Sequence, residues 1–222
     1  MALPEPNDGG APGFHGVYPA WVTDLVDPDH LGRIEVSFPF LGKSGNDDVR
    51  AWATLCTPYA DNEQGLCILP EVDSQVLVAF EAGNFYRPYI IGCAWNGQAS
   101  LPHDPEQANN IRVWRTRANS RLEFDDTAGA AKVTISTDMG HQVVLDDGAM
   151  EVTVQHANGC VIQLTAAGSI EIQANVSVEV TAPMVEVTAP ISTFSGVVQC
   201  ETMIAESFVI SPAYTPGVGN FW

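Results

Sequence analysis

The stretch VSVEVTAPMVEVTAP, residues 176–190, alternates apolar and polar side chains and repeats VTAP after seven residues. Alternation with period two belongs to β-structure with one buried face. Proline inside a central strand would remove a ladder donor, so Pro183 and Pro190 mark strand ends or corners. The pattern extends well beyond this stretch. KVTIST, HQVVLDD, EVTVQH, CVIQLTA, SIEIQAN, VSVEV, MVEVTA and ISTF follow one another from residue 132 at spacings of roughly seven to ten residues. Gly140, Gly148, Gly159, Gly168 and Asn175 mark the earlier bends.

Each run carries one row of Val, Ile or Leu and one row of Thr, Ser, Gln or Glu. A single chain of such strands exposes unpaired edges and has nothing opposite its apolar row. Two arrangements supply the missing surface. One is a solenoid in which a single chain closes a three-sided coil; the other is several identical chains wound around each other. A solenoid coil takes about 20 or more residues per turn, and this repeat of about eight is roughly a third of that. Three chains, each supplying one face per turn, close the prism, so a homotrimer is expected. About ten strand layers at ~4.8 Å make a rod of about 50 Å, comparable to a bilayer with its headgroups.

The first half of the chain has a different texture. Residues 1–13 are rich in Pro, Gly and Asn and read as a flexible arm. Short β-runs follow at about 15–26, 32–38, 49–56, 66–69, 75–81 and 88–95, separated by the turn sequences DPDHLG, LGKSGNDD, DNEQG and EAGN. Many short strands with little helix predict a small closed barrel of OB-fold type over 14–97. Residues 98–132 read as linker and neck, 133–210 as a β-helical spike and 211–222 as a tip segment. The expected fold class is all-β: an OB barrel followed by a trimeric intertwined β-helix, or β-prism.

Charge narrows the function. The formal net charge is −18, and it is unevenly placed. Residues 1–100 hold 13 acids and four bases, 101–132 hold five of each, and 133–222 hold nine acids with no Lys or Arg. Nucleic-acid backbones need cations to displace their counterions, so no nucleic-acid partner is expected. No apolar run reaches the roughly 18 residues of a membrane helix, and MALPEPNDGG lacks the features of a signal peptide. Synthesis in the cytoplasm without a signal sequence is the expectation. The five cysteines (56, 67, 93, 160 and 200) form no CxxC pair and read as buried reduced thiols.

The segments GVYPAWVTDLVDPDHLGRIEVSFPFL, WATLCTPYA and GLCILPEVDSQVLVAFEAGNFYRPYIIGCAWNG resemble the OB-fold core of the VgrG and phage baseplate assembly protein V family. Matching positions include Asp27, Pro28, Gly32, Arg33, Phe38, Pro39, Trp52, Pro58, Glu71, Val72, Val76, Val78, Phe80, Gly83, Arg87, Pro88 and Gly92, an ordered series over about 80 residues. The rest of the chain is similar to the family's trimeric C-terminal spike by repeat pattern rather than by motif. The resemblance implies the membrane-puncturing spike of a contractile injection machine, whether phage tail-like, type VI or an extracellular particle. It implies an OB collar seated on a hub, and the short leader before the barrel makes a separate hub protein the expectation. Short phage spikes carry a His-x-His iron site at the tip. Here the tail reads SFVISPAYTPGVGNFW, with Tyr214 and Thr215 where imidazoles are needed, so no such metal and no cofactor is expected. A PAAR-type tip protein, or the aromatic end itself, then finishes the point, with Tyr214, Phe221 and Trp222 at that contact.

Other constellations are read beside these. The cluster Arg112, Arg115, Arg117 and Arg121 lies between barrel and rod; it either pairs across subunits with acids such as Asp125 and Asp126 or lines a solvated linker. Among the histidines, only His156 lies close in sequence to a Cys, at a spacing of four from Cys160; a metal on a trimer axis and an ordinary β-corner are the two readings. Adjacent Asp residues at 47–48, 125–126 and 146–147 read as turn chemistry, not as the facing carboxyls of a glycosidase. Trp21, Trp52, Trp95 and Trp114 read as core or subunit-interface packing. No catalytic motif is present, and a structural protein is expected; the alternative is a β-helical tailspike enzyme acting on surface polysaccharide.

Overall fold

The computed structural model of the chain describes residues 13–41 and 49–211. Among these residues there is no α-helix, and the helical content is one 3-10 turn at Glu81–Gly83. Strands β1 (Val17–Asp24), β2 (Arg33–Ser37) and β3 (Arg50–Leu55) lead into a two-residue hairpin, β4 (Ala60–Asp61) and β5 (Gln64–Gly65). Strands β6 (Gln75–Phe80) and β7 (Pro88–Cys93) then complete a closed barrel in the order β1-β2-β3-β7-β6, with β3 and β7 parallel and the other neighbours antiparallel. Closure leaves no edge strand to cap.

Alternation fills the barrel. Ala20 and Val22, Ile34 and Val36, Ala53, Val76 and Val78, and Ile90 point inward from their strands and are at most 1% exposed. Phe38 and Phe80 close one end, 5.5 Å apart, with the half-buried Phe14 and Phe85 against them. The β1–β2 loop folds around a single carboxylate. Asp27 is buried and accepts the backbone N–H groups of Asp29, Leu31 and Arg33 at 3.0–3.2 Å, and the Arg33 guanidinium at 2.8 and 2.9 Å. Arg33, with help from the backbone donors, holds the Asp27 carboxyl well below the usual carboxylate range, and Asp27 in turn raises Arg33.

The second sheet has seven strands in sequence order: β8 (Ile111–Arg115), β9 (Arg121–Asp125), β10 (Lys132–Ser136), β11 (Gln142–Asp146), β12 (Glu151–Gln155), β13 (Val161–Leu164) and β14 (Ile170–Gln173). It is an antiparallel meander in which four of the six turns repeat one design. In 116–120, 137–141, 156–160 and 165–169 the first residue's N–H donates to the fifth residue's carbonyl, and the fourth residue's N–H returns to the first. The fourth residue is left-handed in each: Asn119 at φ 60°, then Gly140, Gly159 and Gly168 at 92°, 93° and 80°. Glycine adopts that conformation without a Cβ penalty, and Asn tolerates it.

Two expectations are corrected here. The thiols are not buried within one chain: Cys56, Cys67, Cys93 and Cys200 are exposed and Cys160 is half-buried, because Val, Ile and Phe already fill the barrel interior. None of the four tryptophans belongs to the barrel core either. Trp21 and Trp52 point outward between the buried Ala20, Val22 and Ala53, while Trp95 and Trp114 are 64% and 50% exposed.

Candidate assembly interface

Strand register sorts the meander's side chains into cross-strand rows, because directly opposed residues share a face. One row reads Trp114, Leu122, Ile135, Val143, Val154, Ile162 and Ile172. The row two positions along reads Arg112, Phe124, Val133, Leu145, Val152, Leu164 and Ile170, on the same face. Arg112 at one end is the single polar member of the pair of rows. Between them, on the other face, run Val113, Glu123, Thr134, Val144, Thr153, Gln163 and Glu171. That polar face carries its own ladder contacts, with Gln142 Nε2 donating to Gln155 and Gln163 Nε2 to Glu151, both at 2.8 Å.

The apolar face is a core without a lid. Ile135, Leu145, Val154, Ile162 and Ile172 are 44–60% exposed, and no described residue from 91 to 211 is buried in the single chain. Fully burying one such side chain contributes about 1.5–3 kcal/mol, so leaving two rows wet forfeits most of what the sequence pattern offers. Contiguous exposure on this scale marks an interaction surface.

Residues 176–211 form a separate unit, and every one of them is exposed. They keep the alternation of VSVEV and MVEVTA but make no ladder within one chain. The runs of the meander are just as short, but here Pro183 and Pro190 stand where the meander has its glycine turns, so the backbone donors need strands from elsewhere.

The arginine cluster is spread over separate contacts. Arg112 pairs with Asp126 of the same chain. Arg115 donates from Nε and Nη2 to Asn119 Oδ1 across its own turn. Arg117 Nη1 reaches Glu71 Oε2 at 3.0 Å, tying the first turn of the meander to the barrel. Arg121 pairs with Glu123, and among the described residues its Nε is the buried side-chain nitrogen without a hydrogen-bond partner. Asp125 caps its turn through the Thr127 hydroxyl and N–H, and these bonds, aided by Lys132, lower its carboxyl below the ordinary range. Tyr214, Phe221 and Trp222 lie outside the described residues.

The His156 ring packs against another histidine, while its backbone N–H bonds to the Cys160 carbonyl. Gln142 and Gln155 are opposed, so His141 and His156 flank the next position and their rings sit 4.3 Å apart. Each Nδ1 accepts a backbone N–H, from Ala157 and from Asn158. Spacing along the chain could not reveal this pair; the hairpin register does. No group of three metal-ligating side chains occurs among the described residues.

Two family models cover this architecture. The type VI secretion system/phage-baseplate injector OB domain matches residues 18–95, which is the barrel. The phage baseplate V C-terminal trimerisation domain matches 132–190, which takes in the uncovered apolar face and the start of the exposed tail. The chain belongs to the VgrG and phage baseplate V family. Among curated relatives, the type VI secretion system spike protein VgrG3 of Vibrio cholerae is 24% identical over 130 residues, 56% of this chain and 13% of that protein. The actin cross-linking toxin VgrG1 of Vibrio cholerae is 25% identical over 111 residues, 47% of this chain and 10% of that protein. The spike protein VgrG5 of Pseudomonas aeruginosa is 27% identical over 120 residues, 50% and 15%. The chain thus covers between a tenth and a sixth of these three VgrG relatives. Within the family, the trimerisation domain overlaps, over β10 to β14, the apolar face that a single chain leaves exposed.

The β8–β9 hairpin lies within the expected neck, 98–132, and carries the same apolar surface. Its signal was present: Trp114, Leu122 and Phe124 alternate as the later strands do, and TRANS is built like HANGC and TAAGS.

Proposed function

We propose that this chain is the trimeric, membrane-puncturing spike of a contractile injection machine, seated by its barrel on a separate hub. The observation that carries this reading is the double apolar row running across the seven strands of the meander, broken only by Arg112 at its first strand. Three copies bring those rows together on a common axis. The 176–211 tails then pair between chains, so that backbone groups unpaired in one chain are satisfied in three. The product is a rod without free edges, suited to bearing compressive load as a mechanical part rather than as a catalyst. A PAAR-type protein tips it at the Tyr214, Phe221 and Trp222 end, and Arg112, Arg115, Arg117 and Arg121 make inter-subunit contacts at the neck. The target membrane is met only transiently, by an exterior that has no Lys or Arg beyond residue 132.

The test is the mass of the purified chain by light scattering, repeated after SDS without heating. A trimer that survives SDS supports the intertwined rod. A monomer overturns the reading.

A further inference from the structure

Residues 56–74, which join β3 to β6, make the longest connection in the barrel, and long connections in compact domains are where function concentrates. The loop is built rather than slack. Leu66 N–H donates to Tyr59 O at 2.9 Å, Thr57 Oγ1 to Leu66 O at 2.7 Å, and the Tyr59 hydroxyl to Gln64 Oε1 at 2.7 Å. A Cβ at Gly65 would lie 2.7 Å from Tyr59 O, so the close crossing of the two arms requires glycine. At the far end Pro70 is buried, and Asp73 N–H bonds to Val22 O on β1 at 2.9 Å. Held in this way, Leu66, Ile68, Leu69 and Val72 stay 40–47% exposed. Apolar side chains gathered along one fixed segment in water make an interaction surface.

Position and charge say what covers it. Glu71, within the apolar stretch, accepts from Arg117 Nη1 at 3.0 Å, and Arg117 stands in the 116–120 turn between β8 and β9. The loop is thereby moored to the first hairpin of the meander, and it arrives at the seam wherever other copies bring their meanders. Residues 56–74 contain Asp61, Glu63, Glu71 and Asp73 and no Lys or Arg. On a chain of net charge −18, most of a second copy's surface repels such a loop. The β8–β9 hairpin does not, because it lies in 101–132, where five bases balance five acids. On its apolar face Trp114 and Phe124 are half-exposed with Arg112 in the same row as Phe124. Arg112 pairs with Asp126, and a guanidinium with five donors has room for a second carboxylate.

Within one chain the two surfaces do not cover each other: the leucines of the loop and the aromatic rings of the hairpin all remain in water. We infer that the 57–72 loop of each barrel packs on the β8–β9 hairpin of a neighbouring copy. Leu66, Ile68 and Leu69 meet that copy's Trp114 and Phe124, and Asp61 and Glu63 face its arginines. The contact rests on the trimer proposed above and adds to it a barrel-to-hairpin clasp that the strand pattern does not contain.

Cys67, between Leu66 and Ile68, is exposed in one chain and reports on the loop. The full chain and its Val143→Asp variant, expected to be monomeric, are treated briefly with N-ethylmaleimide, and labelled thiols are located by peptide mass mapping. Cys67 is expected to react about tenfold or more slowly in the trimer than in the variant. Leu69→Asp is expected to restore the fast rate while light scattering still reports a trimer, because the meander holds the three chains together. A trimer whose Cys67 reacts as fast as in Val143→Asp overturns the clasp and leaves the loop to a separate protein. A Leu69→Asp trimer whose Cys67 stays slow overturns it too, and decides alone if Val143→Asp fails to fold. An unsubstituted chain that is monomeric by mass sinks the trimer reading itself, and the clasp with it, before any labelling.

Discussion

The barrel and the meander are built from the same strand grammar but complete their cores in opposite ways. In the barrel, closure turns every inward side chain toward another of the same chain, and Ala20, Val22, Val36, Val76, Val78 and Ile90 are fully buried. In the meander, the same alternation produces a flat double row of Val, Ile, Leu and Phe that stays roughly half exposed. A sheet that bends back on itself makes a unit able to fold alone; a sheet that stays open makes one face of a larger object. The family assignment follows the same division, an OB domain in one part and a trimerisation domain in the other.

That contrast breaks most sharply at the apolar rows. Replacing Leu145 by Asp, or Val143 by Asp, buries a charge in the proposed three-chain core at a cost on the order of several kcal/mol per chain. Loss of the trimer by light scattering is expected, with the barrel still folded by circular dichroism. A variant that remains trimeric would remove the meander from the interface. The reciprocal change is Phe38→Ala, which opens a cavity in the closed core. It is expected to cost about 3–5 kcal/mol of barrel stability in a denaturant titration while leaving the oligomeric mass intact. One shared transition for both variants would show that the two regions do not fold independently.

Acid sharpens the same comparison. Because folding lowers the Asp27 pKa below its ordinary value of 3.8, the carboxylate stabilises the barrel above that pH. The contribution is lost as pH falls from there toward the folded-state value. The barrel is therefore expected to lose stability below about pH 4, and Asp27→Asn to flatten that dependence while lowering stability at neutral pH. Smaller still is Gly159→Ala, which forces a Cβ into a left-handed turn at φ 93° and is expected to cost about 1–2 kcal/mol per chain, read as a drop in the trimer's Tm. The smallest structural effect belongs to Glu179→Lys, Glu186→Lys and Glu201→Lys combined. All three residues are exposed in the single chain, so assembly should persist while target killing by the whole particle slows.

Much of this architecture was legible in the residues. Turn sequences such as DPDHLG and EAGN bounded the barrel strands, and HANGC and TAAGS bounded those of the meander, because the left-handed fourth position of the meander's five-residue turns favours Gly or Asn. The barrel's inward rows followed from alternation alone. Asp126 was legible as a partner for the arginine cluster, although it meets Arg112 within one chain; Glu71, which Arg117 reaches across 46 positions, was not. Nor was the contact between His141 and His156, which are 15 residues apart in sequence and joined only by the pairing of β11 with β12.

The sequence by itself therefore determined that the chain is all-β, where most of its strands break though not the 60–65 hairpin that replaces the run read at 66–69, and that its C-terminal half lacks a partner for its apolar side. These are local properties, set by side-chain period and by the φ angles that Gly, Asn and Pro permit or forbid. Only the tertiary structure decided which rows share a face, which carboxylate holds which guanidinium, and that the barrel's 57–72 loop is moored to the meander's first turn. Register and barrel closure bring together residues far apart in the chain, and no local preference encodes that choice.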